Sequence, residues 1–207
     1  MFTVQELLYI IGGYLSGSVL YSYLLPKYFK KVDVMQESDD GNPGTANVFK
    51  CVGIPMGILV LCLELLKGFV PVHLALQTAD ISKKTFGLIL AAPVLGHAYP
   101  VWNPQKGGKA IAVSFGVLLG LFPFWTPVLL LASFYISFSL IVIIRPHFFR
   151  SIFTFLLFIG GVVCMVPIPG IVVGCAIISL IVIRKHFVRY QGEKLKIAIL
   201  GREVFFP

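Results

Sequence analysis

Long apolar runs separated by short polar intervals occupy nearly the whole chain. The runs cover residues 4–25, 53–76, 86–102, 111–124, 127–144, 152–166 and 168–183. A helix crosses the hydrocarbon core with ~20 apolar residues, because each residue rises about 1.5 Å against a core roughly 30 Å thick. Several runs are shorter than that, which predicts tilted or re-entrant segments. The pattern predicts an all-α integral membrane protein of about seven transmembrane helices, a single polytopic domain over residues 1–207. Composition agrees: 57% of residues are hydrophobic and 13% charged, with a mean hydropathy of +0.92. A water-soluble globule of this size cannot hide so much apolar surface.

Charge placement adds an orientation. The net charge is +8. With the N-terminus outside, the inside segments hold Lys27, Lys30, Lys31 and Lys50, then Lys106 and Lys109, then Arg145 and Arg150. The tail adds Arg184, Lys185, Arg189, Lys194, Lys196 and Arg202, while the outside keeps Lys83 and Lys84. That bias predicts an outside N-terminus and a cytoplasmic C-terminus. The cations are dispersed among loops and not interleaved with aromatics, so no nucleic-acid surface is expected. Cys51, Cys62, Cys164 and Cys175 lie in or beside apolar runs and have no metal-binding spacing. They read as small buried residues, without disulfides. The first residues lack the basic region of a signal peptide, so the first run is expected to be retained.

The candidate chemistry lies in the polar intervals. After Gly96-His97 comes Lys106-Gly107-Gly108-Lys109. Adjacent glycines allow a sharp turn whose N–H groups can face an anion, and the flanking lysines supply positive charge. A plain turn with positive-inside lysines is the competing reading. The first loop carries Asp40-Gly41-Asn42-Pro43-Gly44-Thr45-Ala46-Asn47 and then Lys50. Gly-Asn-Pro-Gly is a turn signal. Asn42, Thr45 and Asn47 can orient a hydroxyl-bearing ligand, and Lys50 can hold its phosphate. Glu64 and Lys67 share a helix face inside the second run and read first as a structural ion pair. His73 and His147 read as interfacial. His186 and Arg189 either belong to a juxtamembrane basic segment or return to the polar face.

Together with Gly17-Ser18, Glu64-Leu65-Leu66-Lys67-Gly68 and Gly96-His97-Ala98-Tyr99-Pro100, these motifs keep an order and spacing along most of the chain. In that order the sequence resembles the PlsY family of bacterial membrane acyl-phosphate:glycerol-3-phosphate acyltransferases. The resemblance implies transfer of a fatty acyl group from acyl phosphate to the 1-hydroxyl of glycerol 3-phosphate, giving lysophosphatidate for phospholipid synthesis. It implies an active face at the cytoplasmic side of a bacterial plasma membrane, in contact with membrane lipid. It implies no metal, no cofactor and no covalent acyl-enzyme. His97 and Asn47 take the catalytic positions, His97 either as a proton acceptor or as a brace for the loop. Asp40, Gly41, Asn42, Gly44, Thr45, Lys50, Lys106, Gly107, Gly108, Lys109, His186 and Arg189 take the substrate-binding positions.

The chain departs from the family pattern in several places. Asp40 stands where the family has serine, and Thr45-Ala46-Asn47 replaces Ala-Thr-Asn. Lys50 replaces an arginine and Glu64 the usual aspartate. His186 and Arg189 do not reproduce the family's Arg-His-x-x-Asn. A carboxylate at position 40 repels a phosphate unless a cation or proton offsets it. Two other classes stay open. One is a re-purposed homologue that binds or acylates a different phospho-ligand or lipid. The other is a small transporter, although no internal repeat is evident. The His-x-x-x-x-Asp signature of the other acyltransferase class is missing, since His97 is followed by Asn103 and Pro104.

Overall fold

The computed structural model describes residues 3–199 and 202–204. Helices dominate it. The first run divides into α1 (Val4–Ser18) and α2 (Tyr21–Leu25), the latter extended by a π turn at Pro26–Lys30. The first loop folds into two short helices, α3 (Val34–Glu37) and α4 (Thr45–Cys51). Next come α5 (Ile54–Leu76), α6 (Phe86–Ala98) and α7 (Ile111–Gly120). Then α8 (Thr126–Ile136) runs through a second π turn into strand β1 (Val142–Arg145). Two long helices follow, α9 (His147–Met165) and α10 (Pro169–Val188), and then strands β2 (Lys196–Ile199) and β3 (Arg202–Val204).

Four helical segments among the described residues have the length and apolarity to cross a membrane: Val4–Lys30, Ile54–Leu76, His147–Met165 and Pro169–Val188. Three apolar helices, Phe86–Ala98, Ile111–Gly120 and Thr126–Ile141, are shorter. The apolar runs therefore became helices, but their bounds moved. The first run breaks at Val19 and Leu20. The run ending at 144 finishes as strand, α9 begins at His147, and α10 continues through Arg184, Lys185 and His186.

The expectation of an all-α chain is corrected by a three-stranded antiparallel sheet in the order β1-β2-β3. Its register sets Ile143 opposite Ala198 and Ala198 opposite Glu203. The β-branched Val142-Ile143-Ile144 and the isoleucines of Lys196-Ile197-Ala198-Ile199 suit a pleated surface. Neither segment can satisfy its backbone groups alone, so each needs the other.

Packing is close where glycines face each other. A Cβ on Gly17 would run into the Pro93 carbonyl, and one on Gly96 into the Tyr14 carbonyl, so α1 and α6 touch backbone to backbone. Gly68 and Gly116 do the same for α5 and α7. Lipid is as apolar as the helices, so such contact, rather than expulsion from water, holds a membrane bundle together. The core contains Phe86, Leu90 and Val94 of α6 with Phe155 and Phe158 of α9 and Ile178 and Val182 of α10. Leu8, Ile54 and Leu180 point outward, each more than 60% exposed, as lipid-facing chains do.

Candidate active site

The polar segments meet at one end of the bundle, around a cavity of about 640 Å³. Asp40, Asn42, Thr45 and Asn47 from the first loop and α4 line it, with Lys109 before α7 and His186 near the end of α10. Leu61, Ile111, Phe115 and Tyr135 give the same cavity an apolar wall. One cavity thus offers a polar floor and an apolar wall.

The first and second polar segments are clamped by charge. Lys109 Nζ lies 2.7 Å from Asp40 Oδ2 and 3.0 Å from His147 Nε2. Arg189 adds a second tie, its NH1 donating to Asp40 O at 3.2 Å and its NH2 to Gly107 O at 3.1 Å. Asn47 Nδ2 donates to Asp40 Oδ1 at 2.8 Å and to Asn42 O at 2.9 Å, which fixes the Gly-Asn-Pro-Gly turn against α4.

Behind the cavity lies a buried brace. Glu64 Oε2 is 2.7 Å from Lys67 Nζ and 3.1 Å from His97 Nδ1, all three groups almost fully enclosed. Glu64 Oε1 accepts from the Ser22 N–H at 3.2 Å, and the single Ser22 hydroxyl proton is shared between Pro43 O and Glu64 Oε1. Lys67 Nζ donates to Val19 O at 2.7 Å. That carbonyl belongs to the residue that caps the broken first helix, where intrahelical partners run out. The helix break and the ion pair explain each other.

Several cavity residues keep polar atoms that are buried and unpartnered: Asn42 Oδ1, His186 Nε2, Arg150 Nε and Ser151 Oγ. Buried polar atoms are nearly always paired in a finished structure. These mark where a ligand's hydrogen bonds would fall.

The profile of the family described as "Glycerol-3-phosphate acyltransferase" matches residues 7–192. The chain belongs to the glycerol-3-phosphate acyltransferase family. A glycerol-3-phosphate acyltransferase of Staphylococcus saprophyticus is 37% identical over 91% of this chain and 94% of its own length. One of Myxococcus xanthus is 40% identical over 55% of this chain, and that match spans 59% of the Myxococcus protein. The crystal structure of PlsY (YgiH), an integral membrane glycerol 3-phosphate acyltransferase in its glycerol 3-phosphate form, superposes with a TM-score of 0.77 at 28% identity, covering 89% of each chain. The lysophosphatidic acid form of that protein gives 0.74 at 27% identity over 88% of each. Acyl transfer to glycerol 3-phosphate on the way to phospholipid is the activity of this acyltransferase.

Within this acyltransferase the expected site residues divide. Asp40, Asn42, Gly44, Thr45, Asn47, Lys50, His97, Lys109 and His186 all border the cavity. Gly41 turns the chain at φ +59° beside it, and Arg189 ties the loops. Lys106 does not reach the cavity; it is exposed and stands 5.3 Å from the Tyr23 ring centroid. Neither Gly107 nor Gly108 lines the cavity, and the expected amide cradle is corrected at Gly108. The Gly108 N–H donates to His97 O at 3.1 Å, and a Cβ there would strike the His97 ring. These glycines are small so that the loop can lie on α6. His147, expected at the interface, also lines the cavity, with its Nε2 3.0 Å from Lys109 Nζ. Arg150, in the same first turn of α9, was also missed. The signal was their separation of three residues, which puts both on one helix face.

Electrostatics resolve the problem of Asp40. Burial opposes its charge, but hydrogen bonds from His147, Lys109 and Asn47 outweigh burial and hold the carboxyl well below the usual range. Burial pushes the Lys109 ammonium down, and Asp40 supports it. A carboxyl with a depressed folded-state pKa contributes stability that is full above its unfolded pKa and is lost as pH falls through the folded one. The loop clamp is therefore intact at neutral pH and weakens only below about pH 4. Thermal unfolding followed against pH should show a smaller acid loss in Asp40→Asn than in the parent; identical acid limbs would contradict the clamp.

Proposed function

We propose that this acyltransferase takes its acyl group from an acyl phosphate and delivers it to the 1-hydroxyl of glycerol 3-phosphate. The reaction runs at the cytoplasmic face of a bacterial plasma membrane, with the N-terminus outside and about seven spans. The observation that carries this reading is the Asp40–Lys109 contact, which draws two loops over a cavity with a polar floor and an apolar wall.

The acceptor oxygen bonds to the acyl carbonyl carbon as the carbon–oxygen bond to phosphate breaks. The electron pair leaves on the phosphate, which takes the hydroxyl proton and departs as hydrogen phosphate. Acyl phosphate is already activated, so the protein mainly positions and neutralises two phosphates. Lys109 is the central cation, and an incoming phosphate competes with Asp40 for it. Lys50 stands at the rim as a point charge. Asn42 Oδ1 and His186 Nε2 are open to the acceptor's hydroxyls. Asn47 and His97 act as positioning residues, since both side chains are committed to the turn and to the Glu64 brace. Asp40, which suggested a re-purposed site, carries its own counter-charge and so no longer favours that reading.

Purified protein in detergent, given labelled glycerol 3-phosphate, should form lysophosphatidate with acyl phosphate and not with acyl thioesters. Product from a thioester alone would overturn the donor assignment.

A further inference from the structure

Two phosphates in one cavity need separate cations; Lys50 stands exposed at the rim, and two of the others are engaged. Lys109 is held by Asp40 at 2.7 Å, and both ends of the Arg189 fork are spent on backbone carbonyls. Arg150 differs. It lines the cavity from the first turn of α9, and its Nε is buried without a hydrogen-bond partner. Among the described residues no carboxylate lies within 4.0 Å of it. Its guanidinium sits 5.5 Å from the Tyr135 ring centroid, and Tyr135 meets Phe115 edge-on at 6.2 Å. Both rings belong to the apolar wall.

Arg150 therefore stands where the apolar wall joins the polar floor. Glycerol 3-phosphate has no apolar part to place there. A molecule with an acyl chain at one end and a phosphate at the other fits that boundary. Resting on the acyl-phosphate reading above, we propose that Arg150 is the donor-specific phosphate ligand of this enzyme, its fork gripping the acyl phosphate while the chain runs along Tyr135 and Phe115. A guanidinium suits this role because it binds phosphate through two parallel hydrogen bonds and stacks on an aromatic ring.

The test is steady-state kinetics of Arg150→Gln and Arg150→Lys, with acyl phosphate and glycerol 3-phosphate varied separately. In Arg150→Gln the KM for acyl phosphate should rise at least about tenfold, while the KM for glycerol 3-phosphate stays within about twofold. Arg150→Lys, which keeps the charge without the fork, should fall between and carries the test if the glutamine variant does not fold. Inorganic phosphate, competing with the donor, should lose inhibition in parallel. Equal rises in both KM values, a rise for the acceptor alone, or no change would overturn the assignment. Parent enzyme that makes no lysolipid from acyl phosphate would overturn the donor reading itself, a result seen without any variant.

Discussion

Lys109→Met should lower kcat/KM for acyl transfer by roughly 10²–10³-fold or more, the scale of losing one preorganised electrostatic stabiliser. Lys109 is only 7% exposed and reaches Asp40 and His147 together. Removing its charge takes a cation from the phosphate site and strips Asp40 of its main counter-charge. The uncovered carboxylate then repels the phosphate that Lys109 used to attract. The two losses act in the same direction. Assays of purified variants, with melting temperature as a control, separate them. Asp40→Asn in the Lys109→Met background should recover stability and leave transfer impaired, because neutral asparagine lifts repulsion without restoring the cation. Parent-like transfer in Lys109→Met would remove Lys109 from the chemistry.

Glu64→Ala should destabilise the fold by about 3–5 kcal/mol, the scale of breaking a buried pair by deleting one partner. Glu64 is fully buried and Lys67 is 4% exposed, so the stranded ammonium has no water to turn to. The same change releases Ser22 and His97, and with them the junction of α2, α5 and α6. Thermal unfolding in detergent measures the loss. Glu64→Leu combined with Lys67→Met should recover part of it, since no orphaned charge remains, though Val19 O still lacks its donor. A single variant that melts like the parent would show that the brace contributes nothing to the bundle.

These effects start in segments that are remote in the chain. Asp40 and Lys109 are 69 residues apart, and Asp40 and Arg189 are 149 apart. The segments themselves could be singled out one by one, because turn residues and clustered cations carry local signals. Their functions could not all be assigned that way. Gly107-Gly108 looked like an anion-binding turn, yet its shape serves contact with His97 and Ala98. His147 looked like an ordinary span-end residue until Asp40 came within 3.4 Å of it.

The sequence by itself determined that this is a helical membrane protein and marked the polar patches that fold around one cavity. Apolar length and loop charge are properties of contiguous residues, and they act wherever the chain sits. Only the tertiary structure decided that Val142–Arg145 and Lys196–Ile199 form strands, because each has its backbone partners in the other. It alone decided that the carboxylate at position 40 lines the cavity with a cation 2.7 Å away. The reason is Coulombic: the charge of Asp40 is tolerable because the Lys109 ammonium arrives beside it, and folding is what brings it there.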